Sequence, residues 1–249
     1  AEEPPSRLEQ IEGSESKMIE CGHKGMYVVV VGLYDDPDDP IRYQRVPLDA
    51  RFDDSKEMQQ TLVEYQRELE TLGLEGLGLK GSAHPLSEFV GSEACADCHS
   101  NAWAVFENTP HAHATDTLTV LDPPRHFDPE CLSCHVVGWN PQQYFPYESG
   151  YFGLEKTPAK LQNGCENCHG PGAAHVAAEW GDEEVSDDEI EARRAAMRMK
   201  IVENEGNQEG QVFKTGSVVE NCMECHDLDN SPDFDFQEYC HEVEHDGKD

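Results

Sequence analysis

Ten cysteines and twelve histidines are the residues of this 249-residue chain whose pattern points to chemistry. Eight of the cysteines form four pairs three positions apart, each followed directly by a histidine. The groups are Cys95, Cys98, His99; Cys131, Cys134, His135; Cys165, Cys168, His169; and Cys222, Cys225, His226. Two thiols at that spacing lie on one side of a helical turn, where both can add to the vinyl groups of one haem. The next imidazole then reaches the iron, and the thioethers hold the macrocycle covalently. Paired thiolates would also suit structural zinc, but zinc has no use for a histidine placed after every second cysteine. A thioredoxin-like redox pair needs a surrounding βαβ pattern, which is not visible here. The spacing therefore predicts four c-type haems whose irons take His99, His135, His169 and His226 on one face.

Eight histidines remain for the opposite faces: His23, His84, His111, His113, His126, His175, His241 and His245. Histidine on both faces favours lower reduction potentials than Met/His ligation. Two cysteines stand outside the motifs, Cys21 and Cys240. In an oxidising compartment they close a long disulfide loop; otherwise they stay as thiols or pair between molecules.

The elements that must position these groups read as a mainly α, loop-rich fold with a small β-hairpin and helix near the amino terminus. Residues 1–20 are polar and acidic, a flexible or draped arm. Within residues 21–80, the β-branched run from Met26 to Leu33 predicts a buried strand, and Ile41 to Leu48 a returning partner across the Asp- and Pro-rich turn. Asp54 followed by Glu57 resembles a capped helix start. Met58, Leu62, Tyr65, Leu69 and Leu72 then recur at helical spacing until Gly73. Residues 81–249 carry all four motifs, and from Phe89 onward every element reads as helix or loop. Ser186 to Glu189 is a capping box, with Arg193, Arg194, Arg198 and Lys200 toward the helix end.

The stretches GSEACADCHSNAWAVFENTPHAHA, ECLSCHVVGWN, GCENCHGPGAAH and MECH, with FDFQEYCHEVEH after it, resemble the tetrahaem cytochrome c-554 family over residues 89–245. The resemblance implies that His175 caps the haem of His99, His245 that of His169, and His111 that of His226. It also implies a five-coordinate second haem, here that of His135, unless His23, His84, His113, His126 or His241 fills the place. Between residues 21 and 75, CGHKGMYVVVVGLY with RVPLDARF after it resembles the last strands of metallophosphoesterase domains, but without their metal-binding constellation.

Eighteen Lys and Arg against 51 Asp and Glu give a formal charge of −33, a field that repels phosphate backbones and excludes nucleic acid as a natural partner. The longest apolar run is strand-sized, far short of a membrane span. The opening Ala1-Glu2-Glu3-Pro4-Pro5 is what removal of a signal peptide would leave, so the expected location is periplasmic or extracellular. The expected role is electron transfer between redox protein donors and acceptors. A homo-oligomeric filament built on the exposed edge strand extends that role. The alternative is redox chemistry on a small nitrogen compound at an open His135 haem.

Overall fold

The computed structural model describes residues 4–22, 24–199, 218–227 and 229–245. His23 and Lys200 lie outside the described residues. The chain divides into two compact units, Ala1–Gln60 and Thr61–Asp249.

The first unit is built from hairpins. β1 (Glu9–Gln10) pairs with β2 (Lys17–Met18), and β3 (Tyr27–Leu33) with β4 (Ile41–Pro47), both antiparallel. The second hairpin runs in register from Tyr27 opposite Pro47 to Leu33 opposite Ile41. Its turn is set by Asp36, whose Oδ1 accepts from the amides of Asp38 (3.1 Å) and Asp39 (3.4 Å). The opening segment lies along β4: the carbonyls of Pro4 and Pro5 accept from Arg45 Nη1 (2.6 Å) and Tyr43 Oη (2.9 Å). The expected burial of β3 is corrected, since Val28, Val30 and Leu33 are 46%, 49% and 80% exposed. β-Branching encoded the extended backbone, but a sheet of two strands offers no second layer to cover either face.

α1 (Lys56–Gly76) crosses the division between the units. Ser55 caps it rather than Asp54, with Oγ accepting from Met58 N at 3.4 Å. Gly73 breaks its regularity at φ +59°, ψ 177°. Gln66 and Leu69 are buried, and Gln66 Nε2 donates to Asp128 Oδ2 at 2.6 Å.

The rest of the larger unit is a series of short helices: α2 (Glu93–Ala96), α3 (Ser100–Phe106), α4 (Ala114–Thr119), α5 (Pro129–His135), α6 (Cys165–His169), α7 (Ala173–Trp180), α8 (Asp187–Ala196), α9 (Val218–Met223) and α10 (Phe236–Val243). One element departs from the helix-and-loop expectation: β5 (Trp139–Asn140) pairs with β6 (Phe145–Pro146). The core there is small, with Leu118, Leu132, Val136, Trp139 and Tyr151 buried together. Trp139 is held by its Nε1 donating to the Tyr151 carbonyl at 2.9 Å. Gly138, at φ +78°, lies against Gly150, and a Cβ on either would collide with the other's backbone. Close approach of two backbones is what those glycines permit.

Candidate functional site

Each Cys-x-x-Cys-His group forms one helical turn. His99 N donates to Cys95 O and His226 N to Cys222 O, both at 2.9 Å, while α5 and α6 contain the second and third groups. Asp128 starts α5 by accepting from Glu130 N at 3.1 Å, ahead of Pro129 at the first helical position. Gly164 precedes α6 so closely packed that a Cβ would meet Ser92, whose Oγ accepts from Cys165 N at 3.0 Å. Within each turn the thiols and the imidazole are thus fixed by the backbone.

Three pairs of imidazoles face each other across the larger unit. His99 and His175 have ring centroids 6.4 Å apart, His111 and His226 5.9 Å, and His169 and His245 5.7 Å. Two imidazoles sharing a metal at about 2 Å from each nitrogen have centroids about 6 Å apart, so these distances fit an iron between the rings. His169 Nδ1 lies 2.7 Å from Met197 O, His245 Nδ1 2.8 Å from Val243 O, and His226 Nδ1 2.9 Å from Ser231 Oγ. A carbonyl accepts only from N–H, so His169 and His245 carry their proton on Nδ1 and leave Nε2 free as a ligand. Burial pushes His111, His169, His175 and His226 below the usual histidine range, favouring the neutral, metal-binding form. Among the described residues no three His, Cys, Asp or Glu side chains converge as a protein-only metal site requires. Two facing rings suit an iron whose other four ligands belong to a macrocycle.

The thiols of different motifs adjoin. Cys95 and Cys165 lie close enough to shift each other's pKa, upward for Cys95 and downward to about 7 for Cys165, and Cys225 and Cys134 are related in the same way. Cys168 neighbours Cys222, and burial pushes its thiol up to about 12. The third and fourth motifs border a cavity of about 1280 Å³ whose walls include His111, Cys168, His169, Cys222, Cys225 and His226. Its volume exceeds the roughly 300–1,000 Å³ of ordinary small-molecule clefts, leaving room for a macrocycle.

Residues 94–170 match the protein-family model described as "Cytochrome c554 and c-prime". Over that segment the chain is similar to the cytochrome c554 family. Cytochrome c-554 of Nitrosomonas europaea is 32% identical over 97 residues, covering 34% of this chain and 39% of that relative. The aligned part is thus well under half the relative's length. A solved structure of reduced cytochrome c554 from the same organism is 24% identical, covering 63% of this chain and 83% of the other, with a TM-score of 0.34. That similarity points to covalently held c-type haem, and the matched segment contains the first three motifs.

At the second motif of the matched segment the surroundings differ. His135 Nδ1 lies 2.7 Å from Ala114 O and 3.4 Å from Thr117 Oγ1, but no imidazole among the described residues faces its ring as in the three pairs. Of the unassigned histidines, His84 packs edge-on against Phe89 and Tyr147. Its Nδ1 accepts from Leu86 N at 3.2 Å, so in the neutral ring the proton sits on Nε2. His126 lies against Phe127 with Nδ1 buried and unbonded, and His113 is exposed beside Asp116. His241 is exposed on α10. Cys21 and Cys240 are both free thiols.

One residue escaped the sequence reading. Glu166, inside the third motif, is 2% exposed. It accepts from Val90 N (2.9 and 3.1 Å), Gly91 N (2.6 Å) and Gly172 N (2.7 Å). It thereby joins three pieces of chain: the approach to the first motif, the third motif itself, and the loop leading to His175. Nearby, Lys160 Nζ donates to Phe89 O at 2.8 Å, and burial lowers its pKa.

Proposed function

We propose that this protein is a tetrahaem electron carrier. Haems are attached through Cys95 and Cys98, Cys131 and Cys134, Cys165 and Cys168, and Cys222 and Cys225, with His99, His135, His169 and His226 on the irons. His175, His245 and His111 are the sixth ligands of the first, third and fourth haems. The observation that carries this reading is the three imidazole pairs at 5.7–6.4 Å. The adjoining thiols support a row in the order His99, His169, His226, His135, because Cys95 meets Cys165, Cys168 neighbours Cys222, and Cys134 meets Cys225. Haems so close exchange electrons without large motions of the protein, which needs only to hold them.

The test is a pyridine haemochrome assay combined with intact mass. Four haems per chain are expected, and fewer would overturn the assignment. The reading carries with it export to the periplasm or cell exterior, checked by fractionation, and redox proteins as donor and acceptor. Its polymeric form rests on the exposed strand β3; sedimentation showing monomers alone would remove it.

A second reading has one observation in its favour, the lack of a facing imidazole for His135 among the described residues. An open iron there would bind a small nitrogen compound. A ferric spectrum with only low-spin haem would eliminate it.

A further inference from the structure

The proton-bearing side of one ligand differs from that of three others. Nδ1 of His169, His245 and His226 each meets a neutral oxygen, from Met197, Val243 and Ser231 respectively. His175 Nδ1 is buried with no hydrogen-bond partner, and Glu179 Oε1, one helical turn further along α7, is 3.7 Å away. That carboxylate does not swing freely: Arg194 on α8 holds it with Nε at 2.6 Å and Nη2 at 2.8 Å. The bridge is not needed merely to hold α8 on α7. Arg193 already does so, bonding Ala174 O at 2.8 Å and Glu183 Oε2 at 2.6 Å. The Arg194–Glu179 bridge therefore has a second consequence, the aiming of a negative charge at the back of His175.

A fixed carboxylate 3.7 Å from Nδ1 is too far for a hydrogen bond, but its negative charge stabilises positive charge on the imidazole and so favours the ferric over the ferrous iron. We infer that Glu179, fixed by Arg194, is the residue that lowers the reduction potential of the haem shared by His99 and His175. It acts through His175, so its role is to tune and orient. The inference rests on the reading of His175 as that iron's sixth ligand.

Spectroelectrochemical titration of the holoprotein tests it. Glu179→Gln is expected to raise the midpoint potential of one haem in four and leave the other three in place. Glu183→Gln, which breaks the neighbouring bridge and leaves His175 alone, is expected to move none. His175→Ala separates the two readings, because it converts one haem from low spin to high spin if His175 is a ligand. If His175→Ala does so and Glu179→Gln leaves all four potentials unchanged, the tuning role is overturned and the ligation stands. If Glu179→Gln and Glu183→Gln shift potentials alike, helix pairing and not the carboxylate is responsible, which also overturns it. A low-spin spectrum in His175→Ala would overturn the ligation and the tuning together.

Discussion

Every ring proposed as a ligand has to solve one problem: which nitrogen keeps the proton. For His135, His169 and His245 a backbone carbonyl within 2.7–2.8 Å of Nδ1 answers it. Replacing His111 or His245 by Ala should therefore turn one low-spin haem high-spin in each variant, read by electron paramagnetic resonance, while the Soret band persists because the thioethers remain. Loss of a whole haem from either variant, or no change, would refute the assignment. Glu166 makes a different kind of contribution. Its four contacts with backbone N–H groups leave nothing for a side-chain amide to donate to, so Glu166→Gln should cost about 2–3 kcal/mol, seen as a lower urea midpoint. Of these residues the sequence singled out the histidines proposed as proximal ligands, because thioether chemistry fixes their spacing to the cysteines. Which histidine faces which was not readable from spacing and came from family resemblance. Glu166 was invisible: it occupies a variable position of its motif, and the amide that selects it, on Gly91, is 75 residues away.

Among the elements, α8 was the most legible, since its capping residue and charges act locally: Ser186 Oγ accepts from Glu189 N at 3.3 Å, as its pattern implied. The partners of its arginines were not legible, because Glu179 and Glu183 belong to α7 and the segment after it. β3 was read correctly as a strand and wrongly as buried, for backbone preference is local and burial depends on what else is near. The clamp of α8 on α7 has a pH signature. Hydrogen bonding to Arg194 and Arg193 lowers the pKa values of Glu179 and Glu183 below the usual carboxylate value. A carboxylate depressed in the fold stabilises it fully above its unfolded pKa and loses that contribution as pH falls through the folded value. Urea midpoints should thus fall as pH is lowered from about 5 to about 3, and fall less steeply in the Glu179→Gln, Glu183→Gln double variant. Parallel curves for the two proteins would refute the clamp's share. Both carboxylates are exposed enough that solvent and salt will keep the difference small.

At the scale of the whole molecule the formal charge of −33 governs what can approach the proposed row of haems. A field of one sign attracts opposite charge and repels like charge before any contact forms, and salt erases it. Screening length shrinks from about 30 Å at 0.01 M to about 8 Å at 0.15 M, so the long-range part of this field is lost between those conditions. Reduction by a cationic mediator such as hexaammineruthenium(II) should accordingly slow severalfold across that range, while reduction by anionic dithionite should accelerate. Stopped-flow traces at the Soret band measure both on the same sample. The pair of slopes discriminates more sharply than either alone, because a general effect of salt on the fold or on the potentials would move both rates in one direction. Slopes of the same sign would mean that electrons enter where the local surface does not follow the net charge. Opposite slopes would place the entry point within the acidic field and make a basic partner the natural one for this carrier.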